Sequence, residues 1–277
     1  MLYVVGTPIG NLDDISVRAL KTLENVDIIA CEDTRNTQKL LNYFQIKNKK
    51  LISFHEHNEE KISQKIIELI EENKNVALVS DAGMPCISDP GYILVNKCIS
   101  KKIKVITIPG PNAALTALVS SGIESYTYTF YGFLPRKKKD LKVKLNEILL
   151  SKHTSIIYES PHRIINLIEN ICEISNHRII SVSRELTKFF EEVVTDTSEK
   201  ILEKFKRGNL KVKGEFVVII SPNKEETHEE IDNFKLIEEV KKMVDNGSKS
   251  STAIKIVADK YGINKREVYN LYHEEII

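Results

Sequence analysis

One device occurs three times in the first half of the chain: a short apolar run that drives straight into a turn of glycine, proline and a polar residue. The fullest instance is VALVSDAGMPCISDP at 76–90. Val76 to Val79 show no polar alternation, the pattern of a strand covered on both faces in a parallel sheet. Asp81, Gly83 and Pro85 end that strand, and a fresh apolar pattern from Tyr92 to Ile99 predicts a helix. LYVVGTPIGNL (2–12) runs a strand into Gly6, Pro8 and Gly10, and KVITIPGPNAALTAL (104–118) runs one into Pro109, Gly110, Pro111 and Asn112. Ligands of open α/β sheets collect at such carboxyl edges, so three turns of one kind imply one shared cleft. Glycine lets the backbone approach a ligand closely and proline stiffens the loop. None of the three is a dinucleotide or P-loop fingerprint.

The 277 residues, 42% of them hydrophobic, suit two modest domains or one large one. A net charge of +1 leaves nucleic-acid binding to local patches. Cys31, Cys86, Cys98 and Cys172 form no C-x-x-C pair and no zinc spacing, as suits unpaired thiols in a reducing cytosol. No basic-then-apolar leader opens the chain and no apolar segment approaches the ~18 residues of a membrane span, so the expected location is the cytoplasm, with no membrane partner.

Further along, 16–26 predicts a helix and 26–31 a strand, completing a βαβ unit. EDTR (32–35) follows at that strand's end, where Asp33 or Thr34 can cap the next helix. LISF (51–54) gives another strand, then HEHNEE (55–60). His55 and His57, spaced i, i+2 without a third strong ligand, make a weak metal pattern; a substrate-facing loop or a helix cap from Asn58 accounts for them better, and no metal is expected. The pattern restarts near 122. Strands are expected at 126–132, 154–160, 177–186, 188–195 and 214–220, and helices at 137–150, 161–171 and 198–207, with Pro161 in a first helical turn. The consecutive strands over 177–195 suggest antiparallel pairing. The expected division is therefore 1–122, 123–221, a polar linker at 222–232 and a small helical appendage at 233–277. In the appendage, helices separated by Gly262 and capped by Asn264 and Glu267 read either as a helix-turn-helix nucleic-acid module or as a mini-bundle. Positive charge concentrates at RKKKDLKVK (136–144) and KFKRGNLKVKG (204–214). Such runs are usually solvated faces, but the first follows GFLP (132–135) near the junction of the halves, where it is expected to track phosphates.

Taken together, TPIGNL (7–12), EDTR (32–35), SDAGMP (80–85), DPGY (89–92), PGPNA (109–113), GFLP (132–135), YESPHR (158–163) and RELTK (184–188) closely resemble the ribosomal RNA small subunit methyltransferase I family, within the tetrapyrrole-methylase-like class. The match spans about residues 1–221. It implies an α/β fold of two subdomains with an S-adenosylmethionine cleft between them, a small C-terminal helical appendage, and a homodimer. It also implies 2′-O-methylation of a cytidine ribose in the decoding region of 16S rRNA, free or within the small ribosomal subunit. By position, the resemblance assigns cofactor contacts to Pro8, Ile9, Asp81, Ala82, Gly83, Pro85, Asn112, Ala113 and Tyr158. Met84 stands where threonine is expected and Asn112 where serine is common.

A ribose hydroxyl is a poor nucleophile and needs a base or a cation favouring the alkoxide. Glu185 and Lys188 are the preferred pair for that role and Glu159 a further candidate; Arg163 and Arg184 are candidates for holding substrate. An internal ion-pair network would use the same residues. Asn11, Glu32, Asp33, Arg35, His55 and Arg136 are expected at the RNA entrance, and Asp81 can equally be a turn residue accepting backbone N–H bonds. Two other functions fit parts of the pattern: methylation of a small tetrapyrrole precursor, and non-enzymatic nucleic-acid binding by the C-terminal helices.

Overall fold

The structure, a computed structural model, describes residues 1–223, 233–261 and 264–274. Two units separate, Met1–Asn223 and Lys224–Ile277.

The first unit holds two five-stranded sheets. Strands β1 (Leu2–Val5), β2 (Ile28–Cys31), β3 (Lys50–Ser53), β4 (Val76–Val79) and β5 (Val105–Ile108) form an all-parallel sheet in the order β3-β2-β4-β1-β5. The missing polar alternation has a direct cause. Val76 and Leu78 of β4 join a core with Ile66, Ile67 and Leu94, while Ala77 and Val79 join the opposite core with Ala19, Leu23 and Leu41. Helices α3 (Glu59–Glu71) and α4 (Tyr92–Ser100) supply the first of these layers, α1 (Val17–Asn25) and α2 (Thr34–Tyr43) the second. A two-residue period between two apolar layers makes every position of the strand apolar. The expected βαβ unit spans the sheet rather than one strand pair, since β4 lies between β1 and β2.

In the second sheet, β6 (Tyr128–Phe133), β7 (Thr154–Glu159), β8 (Ile179–Arg184), β9 (Glu192–Thr197) and β10 (Phe216–Ile220) run in the order β6-β7-β10-β8-β9. Only β6 and β7 are parallel; β10 is antiparallel to β7 and β8, and β8 to β9. Helices α6 (Lys138–Leu150), α7 (Ile164–Ile174) and α8 (Ser198–Lys206) pack over one face. The other face is covered by α5 (Ala113–Ser121), the last helix of the first half, whose Ala114, Ala117 and Leu118 pack on Ile156, Val217 and Ile219. Gly122 ends α5 in the left-handed region at φ 68°.

Three local expectations change. Residues 188–191 are a turn, not a strand, because Lys188 N–H donates to Glu185 O and Glu191 N–H to Lys188 O. Helix α7 begins at Ile164, three residues after Pro161, where Ser160 O accepts from both Arg163 and Ile164. Asn58 precedes α3, but its Oδ1 accepts from His55 N–H rather than capping that helix.

The second unit contains α9 (Asn233–Asp245), α10 (Ser250–Tyr261) and α11 (Lys265–Glu274), around Leu236, Val240, Ile254, Val257 and Val268. Asn264 Oδ1 accepts from Arg266 N–H at the start of α11. The linker expected at 222–232 lies outside the described residues from 224 onward, as does Gly262. Among the described residues no helix is long and apolar enough to cross a membrane.

Candidate active site

Strands β4, β1 and β5 are neighbours, so their three glycine and proline turns leave the same edge side by side. They are locked together through backbone. Thr7 and Gly83 exchange N–H···O bonds of 2.9 and 3.1 Å, and Gly83 takes φ +81°, which favours glycine. Gly6 passes so close to Gly110 that a Cβ on Gly6 would lie 2.7 Å from the Gly110 Cα. Neither residue has room for a side chain. Asn112 caps α5, its Oδ1 accepting from Leu115 N–H at 3.0 Å.

The opposite wall comes from the second sheet, where antiparallel pairing sets Phe216 of β10 opposite both Glu159 of β7 and Arg184 of β8. The carboxyl ends of β7 and β8 therefore meet the amino end of β10 at one edge. The Tyr158 hydroxyl accepts from Ala114 N–H at 3.2 Å, tying this edge to the first turn of α5.

A cavity of about 300 Å³ lies between the two edges, at the small end of the range for organic ligands. Ile9, Ala82, Gly83, Met84, Asn112 and Ala113 line it from the first half. Tyr158, Glu159, Leu186, Glu215 and Phe216 line it from the second. Two carboxyl groups in this wall are unusual. Burial, reinforced by the charges of Glu32 and Asp81, pushes Asp89 up to about 6. The Glu159 side chain is 1% exposed, with Oε1 accepting from Ser160 N–H. Arg163 approaches its Oε2 to 3.3 Å, but that guanidinium directs its hydrogen bonds to the carbonyls of Leu134 and Pro135, leaving Oε2 without one. Burial also raises the Tyr158 hydroxyl, against the Ala114 hydrogen bond.

The remaining sequence candidates lie elsewhere. Pro8 and Asp81 line a second cavity of about 350 Å³, together with Asn36, Lys39 and Tyr43. The Asp81 carboxylate there accepts from Asp33 N–H and the Asn36 amide. Pro85 is buried outside both linings. Glu185 and Lys188 line neither cavity; Lys188 Nζ donates to Glu185 at 2.8 Å and to Glu215 at 2.9 Å. Burial alone would raise the Glu185 carboxyl, but the Lys188 and Glu215 N–H hydrogen bonds outweigh it and hold it low. Arg184 is buried against Glu192. Arg163 holds the GFLP turn through Leu134 and Pro135.

At the first-half edge, Arg35 pairs with Asp33, whose carboxyl its hydrogen bonds pull down to about 2. Glu32 is raised by burial and by the Asp81 charge, with His55 opposing. Asn11 caps a short 3-10 turn at Leu12–Asp14, and Arg136 is exposed. Among the described residues no group of three His, Cys, Asp or Glu could hold a metal ion. The sequence pattern does not mark Asp89, Glu215 or Leu186 as lining residues. Asp89 lies within the quoted DPGY, but its surroundings come from other loops.

Residues 1–202 match the family model described as Tetrapyrrole (Corrin/Porphyrin) Methylases. Solved structures of the same fold include a diphthine synthase, with TM-score 0.61 and 16% identity over 79% of this chain and 89% of that one. Another is a uroporphyrin-III C-methyl transferase from Thermus thermophilus complexed with S-adenyl homocysteine, with TM-score 0.53 and 13% identity over 79% and 96%. Fold and cleft thus define the class, the tetrapyrrole methylases. A ribosomal RNA small subunit methyltransferase I from Halalkalibacterium halodurans is 46% identical over 277 residues, 99% of this chain and 95% of its own. A relative of that name from Hydrogenobaculum sp. is 46% identical over 221 residues, 79% of this chain and 95% of that one. Within the class, the chain belongs to the ribosomal RNA small subunit methyltransferase I family.

Proposed function

We propose that the protein transfers a methyl group from S-adenosylmethionine to the 2′-hydroxyl of a cytidine ribose in the decoding region of 16S rRNA. The observation that carries this reading is a buried carboxylate oxygen, Glu159 Oε2, without a hydrogen-bond donor in the wall of a cleft. An acceptor left dry in that way calls for a donor brought by a ligand. The remaining lining fits a cationic nucleoside: Ile9, Ala113 and Leu186 offer apolar surface to a base, while Asp89 offers a carboxyl group. Ile9, Ala82, Gly83, Asn112, Ala113 and Tyr158 would hold the cofactor. The S-adenyl homocysteine bound in a protein of the same fold makes this cofactor the first to test.

S-adenosylmethionine carries an already activated methyl group, so the protein has to bind, align and desolvate. Glu159 takes the proton of the 2′-hydroxyl as that oxygen is methylated, and Arg163 keeps its carboxylate oriented. Lys188 and Glu185 act as positioning residues. Their ion pair reaches Glu215 in the cavity wall, and Lys188 packs on Gly10 of the first loop. Arg35 meets phosphates at the first-half rim, with Asn11, Glu32, Asp33 and His55 on the same half, and Arg136 meets them from the second half. The halves at 1–122 and 123–221 share the cleft, and the protein works as a cytoplasmic homodimer. The exposed Leu115 and Val119 of α5 and the nearby Tyr126 supply an apolar surface for the second copy.

Transfer of labelled methyl from S-adenosylmethionine, offered 30S particles, free 16S rRNA and a tetrapyrrole precursor, tests the reading. Label is expected on the RNA, at one cytidine ribose by ribose-methylation mapping. Label on the tetrapyrrole alone, or on a base instead of a ribose, would overturn it.

A further inference from the structure

The turn after β8 spends backbone strain to place two aromatic rings in water. Glu185 and Thr187 both take positive φ, 52° and 64°, where residues other than glycine are disfavoured. The strain is held by a dense set of bonds. Glu185 N–H donates to Glu215 O at 3.1 Å, Lys188 bridges Glu185 and Glu215, and Glu191 accepts from Thr187 N–H. Gly10 of the first loop closes on the same turn, 2.9 Å from a would-be Cβ to Thr187 Oγ1. At the tip of the turn Phe189 is 95% exposed and Phe190 63% exposed, with ring centroids 5.0 Å apart at 88°. Burying either ring against this chain would have been favourable, so the exposure calls for a surface outside the chain.

The charges around the rings say which surface. Every carboxylate on the turn is already engaged: Glu185 and Glu215 with Lys188, Glu192 with Arg184, Glu191 with Thr187 N–H. Lys211 and Lys213, in contrast, are exposed and have no carboxylate partner among the described residues. Their segment lies against the turn, since Lys213 O accepts from Arg184 and Gly214 packs on the Glu185 side chain. Both segments are rooted in the cavity wall. Leu186 lines it three residues before Phe189, and Glu215 two residues after Lys213. Two exposed aromatic rings on one segment, and two lysines without a carboxylate partner among the described residues on the segment packed against it, both rooted in a cleft wall, match single-stranded RNA, whose bases stack on rings while phosphates meet cations.

We infer that Phe189 and Phe190 form a stacking step for unpaired RNA bases flanking the methylated nucleotide, with Lys211 and Lys213 on the adjoining phosphates. This rests on the function proposed above and adds a specificity surface to it.

The test uses the full chain with 30S particles and S-adenosylmethionine, comparing wild type with F189A/F190A, F189L/F190L, F189Y/F190Y and K211E/K213E. Removing the rings is expected to raise the KM for 30S particles roughly tenfold to a hundredfold, with cofactor affinity by calorimetry and sedimentation mass unchanged. Tyrosine should restore binding and leucine should not, because stacking needs a ring whereas apolar packing needs only volume. The lysine reversal should weaken binding and flatten its salt dependence. Wild-type KM in F189A/F190A overturns the inference. So does a loss rescued by leucine and accompanied by a halved mass, which would assign the rings to a second copy of the chain. A wild-type protein that methylates no RNA would instead overturn the function beneath it.

Discussion

The two halves facing the cleft are built on opposite principles. The first presents backbone: β4, β1 and β5 are parallel neighbours, so their turns stack in one plane and interlock through Gly6, Gly83 and Gly110. The second presents side chains: its mostly antiparallel order brings Glu159, Glu215 and Leu186 from three segments to one edge. A parallel edge yields stiff loops with fixed amides, suited to gripping a ligand of constant shape. A mixed edge, with charges set by register, suits chemistry and a variable partner. The difference teaches that the two sheets bring different groups to one cleft, fixed main chain from the first and mainly side chains from the second.

The sharpest way to break that contrast is Glu159→Gln, which keeps the shape and removes the carboxylate. Turnover in the methyl-transfer assay should fall by roughly a hundredfold or more, with the calorimetric Kd for the cofactor within a few-fold of wild type. A collapse of cofactor binding instead would move Glu159 to the gripping side. Next in size is Gly110→Val. Backbone cannot retreat like a side-chain tip, so overpacking should cost about 1–3 kcal/mol in urea unfolding and should weaken cofactor binding while leaving any residual turnover number nearer wild type. Lys188→Ala strips the counter-charge from Glu185 and Glu215 and should cost about 1 kcal/mol of stability, less than the glycine change, with KM for RNA more affected than cofactor Kd.

A smaller effect follows from Asp89. Its carboxyl is pushed up to about 6 in the folded chain, above the unfolded value of about 4. The folded state therefore binds the extra proton between those values, and stability drains away as pH rises through that window. Asp89→Asn should remove that loss, so its Tm advantage over wild type should be larger at pH 8 than at pH 4.5. Smallest of all, a chain ending at Asn223 should show the same melting midpoint for the α/β unit within a degree or two. The first unit has its own cores, and the Hydrogenobaculum relative is accounted for by 221 aligned residues.

How much could be read from residues alone divides along the same line. The first-half edge was legible because glycine and proline act locally: Gly6, Gly83 and Gly110 advertise tight backbone wherever the strands end up. The second-half edge was not, because Glu159 faces Phe216 only through a strand order in which β10, last in the chain, inserts between β7 and β8. The Glu185 and Lys188 pair looked reactive as charges in a motif, yet Glu215, twenty-seven residues beyond Lys188, completes an ion-pair set with them. Phe189 and Phe190 read as strand because aromatics favour strands; the turn bonds at 185–191 override that preference. The Asp89 environment depends on Glu32 and Asp81, which approach only after folding.

The crossing of Gly6 over Gly110 also leaves one side of the cleft without give. Two main chains in van der Waals contact form a weld, with no rotamer to swing aside and no spare volume to compress. The opposite bank is joined by side chains instead, Lys188 meeting both Glu185 and Glu215. One bank of the cleft is thus fused main chain to main chain, and the other is clasped by charges.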